Sequence, residues 1–180
     1  YDELMLRRLG ILDREGILLK DIQEVIGTLE PLEGALDFVR SVKAETQLVI
    51  LSDTFEQFAA PLMRKLEFPT LFCNTLEIDD NGRIAGYRLR QNDGKRKAVE
   101  AFGSMGLHIF AAGDSYNDVT MIKAADAGMF FRAPETIKDE FPEYPVVDTH
   151  DGLLEGIRGF LTTRPVPAAC PGQAPGPPTP

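Results

Sequence analysis

The chain has 180 residues, 43% of them hydrophobic and 26% charged, with 28 acidic side chains against 19 Lys and Arg and a formal net charge of −9. That length accommodates one domain with a well-developed core, or a core plus a small cap. The acidic balance excludes the basic footprint that nucleic acid or an anionic membrane demands.

No apolar run reaches the roughly 18 residues of a membrane-spanning helix, and no charged-then-apolar leader opens the chain. Cys73 and Cys170 lie in unrelated contexts and suggest neither a disulfide framework nor metal-ligand spacing. With only His108 and His150, a histidine-rich zinc site is not expected. His108 reads as a packed residue inside an apolar strand, and His150 lies next to a turn. A reducing cytoplasm is the expected compartment.

In chain order, residues 2–27 should form two helices broken near Gly16. Leu4, Met5, Arg8, Leu9, Ile11 and Leu12 give a helical stripe, and Asp21 can cap a second helix holding Ile22, Val25 and Ile26. Pro31 breaks the pattern, and 32–42 reads as a third helix. Leu48–Leu51 is a short apolar run of the kind that forms a strand covered on both faces. Ser52, Asp53 and Thr54 follow at its carboxyl end, as the expected start of a helix containing Phe55, Phe58, Leu62, Met63 and Leu66 and ended by Pro69.

Residues 70–78 and 83–90 alternate around Asp79-Asp80-Asn81-Gly82, a hairpin signal. Residues 95–105 read as a helix, 107–112 as a strand and 117–127 as the helix after it. Short strands at 128–131 and 145–147, a small helix at 135–140 and a final helix at 151–162 complete the pattern. Strands alternating with helices predict an α/β fold with a parallel sheet. From Thr163 onward the composition is mostly Pro, Ala, Gly and Gln, which cannot build a core, so a disordered tail is expected over 163–180.

Three features converge on one edge of that sheet, where a parallel strand delivers its carboxyl end into the ligand crevice of an open α/β fold. Ser52 ends one strand; Asp114 and Asp118, in Gly113-Asp-Ser-Tyr-Asn-Asp118, follow another; Lys95 opens the helix between them. A hydroxyl, backbone amides and an ammonium suit a phosphoryl group. Acids beside them suit Mg²⁺, which keeps several waters and binds substrate phosphate. Taken singly, the same residues are ordinary N-cap and turn chemistry or a solvated helix start.

The order apolar strand–Ser, Lys at a helix start, apolar strand–Gly-Asp-x-x-x-Asp resembles the haloacid dehalogenase superfamily of phosphohydrolases, over roughly residues 1–162. The resemblance is strongest to its phosphoserine phosphatase branch, and within that to the bifunctional phosphoserine phosphatase/homoserine phosphotransferase type. Arg7–Leu12, Gln23–Ile26, Val49–Phe55, Leu76–Asp80 and Ala112–Asp118 carry it. The resemblance implies a Rossmann-like sheet, a partial helical cap over 1–30 and a phosphatase core over 31–162 with its hairpin at 70–91. It also implies L-phosphoserine as substrate, homoserine as a possible phosphoryl acceptor and Mg²⁺ as cofactor. By that resemblance Ser52 binds the transferring phosphoryl group with Asp53 and Thr54, Lys95 balances its charge, and Asp114 binds the metal. Asp118 supports the metal or Lys95, Asn117 orients the loop, and Arg8 takes the substrate carboxylate, with Arg7 as the neighbour confusable with it.

One departure stands out. The superfamily's first motif, Asp-x-Asp at the end of an amino-terminal strand, supplies the nucleophile and the general acid/base. No acid before Ser52 follows an apolar strand run. The chain therefore looks like the family member without its first strand and part of its cap, and alone it is expected to be inactive or nearly so. That strand is the family's central one, between the strands ending at Ser52 and Ala112, so the sheet should be interrupted there. Direct pairing of those two strands would contradict this topology. A non-catalytic remnant that binds phosphoserine and Mg²⁺, and a phosphatase for another small phosphorylated metabolite, are the alternatives.

Overall fold

The computed structural model describes residues 2–163. The expected tail lies outside these residues except for Thr163.

Helix α1 (Asp2–Arg14) and helix α2 (Leu19–Gly27) are separated by a turn at Gly16, whose φ of +67° is the left-handed conformation that glycine adopts without a Cβ clash. Asp21 serves α2 from within its first turn, accepting the Leu18 amide at 2.8 Å. Helix α3 spans Ala35–Glu45, a turn later than its apolar pattern suggests.

Strand β1 runs Val49–Phe55, helix α4 Glu56–Lys65, strand β2 Thr70–Ile78 and strand β3 Ile84–Arg88. The extended backbone therefore continues through Ser52–Thr54, and the helix start expected there is displaced to Glu56. Nor is Val49–Leu51 covered on both faces: all three residues are only half-buried. Helix α5 (Gly94–Ser104), strand β4 (Phe110–Gly113), a short 3₁₀ turn (Tyr116–Asp118), helix α6 (Val119–Ala124), strand β5 (Ala127–Phe131), helix α7 (Glu135–Glu140), strand β6 (Val146–Val147) and helix α8 (His150–Thr162) follow. His108 is exposed just before β4, with Nδ1 3.8 Å from the Asp126 carboxylate, rather than packed in the core.

The strands form two sheets, β1-β2-β3 and β4-β5-β6. The β1–β2 and β4–β5–β6 pairings are parallel, and β2 turns into an antiparallel hairpin with β3. Among the described residues β1 pairs only with β2 and β4 only with β5, so the sheet is interrupted at the expected place. Its lone paired edge explains why β1 is only half-buried.

Helices and side chains join the two sheets. Leu51 of β1 packs against the core that holds Val99, Ala111, Ile122, Phe130 and Ile137. Val42 of α3 shares a second cluster with Met129, Leu153 and Ile157. A third cluster places Met5 of α1 with Phe55, Leu76 and Ile84. Pro61, inside α4, has no amide to give the Gln57 carbonyl four residues back. Gln23 of α2 donates to that carbonyl instead, at 2.8 Å. Lys65 donates to the carbonyls of Gly27, the last residue of α2, and Leu29 just beyond it, at 3.0 and 2.6 Å. No helix among the described residues is long and apolar enough to cross a membrane.

Candidate active site

Between Leu51 and Phe55 the β1–β2 register slips: Leu51 faces Phe72, and Phe55 faces Asn74. Three residues of β1, Ser52, Asp53 and Thr54, thus stand opposite the single residue Cys73, a bulge of the kind that re-aims side chains at a sheet edge. The Ser52 hydroxyl accepts the Thr54 amide at 3.2 Å, which curls the bulge on itself. Asp53 is exposed.

The β4 end is built differently. After Gly113 the chain enters the 3₁₀ turn capped by Ser115, and Asp118 folds back across it. Asp118 Oδ2 accepts the Asp114 amide at 3.0 Å, the Ser115 amide at 3.2 Å and the Ser115 hydroxyl at 3.1 Å. A Cβ at Gly113 would stand 2.3 Å from the Asp118 Cβ, so only glycine allows this closure. Asp114 is exposed, with Oδ1 taking the Ser115 hydroxyl at 3.3 Å.

Lys95 joins the two ends. Its ammonium donates to Asp118 Oδ1 at 2.7 Å and lies 3.3 Å from Asp53 Oδ2, and its side chain is 12% exposed against 7% for Asp118. Burial works against both charges. The Asp118 hydrogen bond and the two carboxylate charges outweigh it and hold the Lys95 pKa above the ordinary lysine value. Burial likewise pushes Asp118 up, but Lys95, the Asp114 amide and Ser115 hold it below the usual aspartate value. Asn117 adds a second strut, donating from Nδ2 to Asp53 Oδ2 at 2.9 Å. A cavity of about 270 Å³ opens beside these groups, lined by Ser52, Asp53, Asn74, Arg90 and Lys95 among others.

Of the residues singled out in the sequence, Ser52, Asp53, Thr54, Lys95, Asp114, Asn117 and Asp118 come together here. Arg8 does not: it is exposed on α1 and makes no hydrogen bond or ion pair among the described residues. As a metal site the cluster is sparse, since no group of three His, Cys, Asp or Glu side chains suited to a metal occurs among the described residues. Mg²⁺ takes one or two carboxylates and completes its shell with water and phosphate. Asp114 is the open carboxylate, and Asp118 is committed to Lys95 and the loop amides.

Sequence reasoning missed Asn74. It is 7% exposed, and its amide bonds backbone on two other segments. The signal was a polar residue at the alternate position between Phe72 and Leu76 of a strand, where the neighbours two residues away are apolar.

A family model described as haloacid dehalogenase-like hydrolase matches residues 3–126. The phosphoserine phosphatase ThrH of Pseudomonas aeruginosa is 57% identical over 153 residues, spanning 85% of this chain and 75% of that protein. A phosphoserine phosphatase of Pseudomonas syringae pv. tomato is 55% identical over 153 residues, 85% of this chain and 65% of its own length. Among solved structures, phosphoserine phosphatase from T. onnurineus in complex with NDSB-201 superimposes with a TM-score of 0.66 at 24% identity, covering 87% of this chain and 72% of that one. At that identity the likeness concerns the fold.

Proposed function

We propose that this chain, which belongs to the haloacid dehalogenase-like hydrolases, carries the phosphoryl- and magnesium-binding groups of a phosphatase for L-phosphoserine. The observation that carries the reading is Lys95, whose ammonium lies between the two strand ends with Ser52 lining the same cavity. The identity to phosphoserine phosphatases supports the substrate.

In this reading Ser52 turns its hydroxyl from the Thr54 amide to a phosphoryl oxygen, and the amides of the bulge add donors that no regular ladder would offer. Lys95 neutralises the phosphoryl charge. Asp118 keeps Lys95 protonated and aimed, and Asn117 fixes Asp53 so that the bulge cannot swing away. Asp114 would hold Mg²⁺, which when bound supplies positive charge to the phosphoryl oxygens. Arg8, which lies outside this cluster, is assigned the substrate carboxylate by the family resemblance alone.

The aspartyl-phosphate route implied by the family resemblance needs a nucleophilic carboxylate and permits either water or homoserine as acceptor. Those 180 residues contain no Asp-x-Asp after an apolar strand run, and the interruption between β1 and β4 is where the resemblance puts that strand. The chain alone is therefore proposed to bind phosphoserine and not to turn it over. Serine biosynthesis in the cytoplasm is the matching physiological setting.

Calorimetric titration of L-phosphoserine in the presence of Mg²⁺ tests the reading. Binding that is lost in Lys95→Met and weakened in Arg8→Ala supports it. Failure of phosphoserine to bind overturns it, and binding indifferent to Arg8→Ala points to a phosphorylated metabolite without a carboxylate.

A further inference from the structure

Asn74 and Asp118 are the two polar or charged residues buried among the described residues. Asp118 belongs to the Lys95 joint; the hydrogen bonds of the Asn74 amide go elsewhere. Both ends of the Asn74 amide are nevertheless committed, and to backbone rather than side chains. Nδ2 donates to the Asp53 carbonyl at 3.0 Å, and Oδ1 accepts the Arg90 amide at 2.9 Å. The orientation of the amide is forced, since a backbone N–H can only donate and a carbonyl can only accept.

The two partners lie on the segments that deliver the phosphoryl-binding groups. Asp53 is the middle residue of the bulge, where the register between β1 and β2 fails. Arg90 lies past the end of β3 on the loop that leads into α5 and Lys95. Asn74 itself stands where β2 leaves its parallel partner: Phe55 faces Asn74 in β1, and Thr75 already faces Arg88 in β3. One amide thus replaces the ladder at the fork and fastens the Ser52 segment to the Lys95 segment.

We infer that Asn74 is a positioning residue that sets the spacing between the Ser52 bulge and Lys95, and with it the fit of a phosphoryl group between them. The inference rests on the phosphoryl-site reading above. Aspartate at this position keeps an acceptor for the Arg90 amide but turns an oxygen toward the Asp53 carbonyl. Leucine keeps approximate bulk and serves neither.

The test compares the unsubstituted chain with Asn74→Asp and Asn74→Leu. Inorganic phosphate and Mg²⁺ are titrated separately, and backbone amides are followed by ¹H–¹⁵N spectra and hydrogen exchange. For Asn74→Asp, the Arg90 amide should keep its shift and protection while the amides of Asp53 and Thr54 move. Phosphate affinity should fall about tenfold, the scale of one buried hydrogen-bond group left unsatisfied, and Mg²⁺ binding at Asp114 should not change.

Asn74→Leu should disturb both segments. If it does not fold, the Asn74→Asp arm decides. A folded Asn74→Asp with unaltered phosphate affinity overturns the inference, and so does parallel loss of phosphate and Mg²⁺, which marks a general structural role. If the unsubstituted chain takes no phosphate, the phosphoryl-site reading falls. The amide spectra then decide Asn74 separately: coupled movement of Asp53 and Thr54 with a still Arg90 upholds its positioning role, and no movement overturns it.

Discussion

The two sheets bring functional groups to the same edge by opposite means. In β4-β5-β6 the strand simply stops, a capped turn follows, and the acids stand on a floor that includes Phe130 and Ile137, both 0% exposed. In β1-β2-β3 the strand does not stop. It breaks register at Ser52–Thr54, regains it at Phe55, and runs half-buried along its whole apolar stretch. The first design gets its rigidity from the core beneath it, the second from hydrogen bonds strung across it by Asn74, Asn117 and Lys95. The acid end should therefore be sensitive to steric changes, and the bulge end to the loss of single polar atoms.

The largest expected effect comes from the residue that ties the two together. Lys95→Met leaves Asp118, 7% exposed in its side chain, as an uncompensated charge, a loss on the order of 3 kcal/mol in urea unfolding. An unfolding midpoint within error of the parent would break the claim that Lys95 is the joint. Gly113→Ala comes next: the new methyl meets Asp118 inside contact distance, and about 2 kcal/mol of destabilisation with weakened Mg²⁺ binding is expected. The corresponding small change at an open glycine, Gly10→Ala on α1, meets nothing within 4 Å and serves as the control.

The pH dependence is gentler. Asp118, with its pKa depressed on folding, contributes stability above the unfolded aspartate value of about 4, lost as pH falls through the lower folded value. Lys95, with its pKa raised, contributes below the unfolded lysine value of about 10.4, lost as pH rises through the higher folded value. The joint should thus be intact across the neutral range and open only in strong acid or strong alkali. Loss of Lys95-dependent stability between these limits, seen in urea titrations of parent and Lys95→Met, would contradict the assignment. Smallest of all, Asp114→Asn and Arg8→Ala alter exposed side chains and should change stability by no more than about 0.5 kcal/mol, while on the proposed reading the first weakens Mg²⁺ binding and the second phosphoserine binding.

The acid end was the more legible in the sequence for the same reason that it is rigid. Gly113, Asp114 and Asp118 lie within one turn, so their relation is local and a strand-to-helix reading places them. The bulge was misread as a helix start because Ser-Asp-Thr is good N-cap chemistry. What keeps it extended is a register slip against β2, a partner whose pairing no local pattern announces. Among the described residues β1 and β4 do not pair with each other, in keeping with the strand order that the family resemblance implies. Asn74 was not foreseen, because its partners are backbone atoms of distant segments. His108 was placed in the core because apolar residues surround it, yet β4 begins only at Phe110 and leaves it outside.

The most direct measurement is magnesium-dependent phosphate release from L-phosphoserine by the 180-residue chain, with Asp114→Asn alongside. No release is expected from either protein, together with phosphoserine binding by the parent that Lys95→Met abolishes. Release that Asp114→Asn removes would contradict the proposal that the nucleophile is absent from this chain, and would turn attention to Asp53, the exposed carboxylate that shares Lys95 with Asp118.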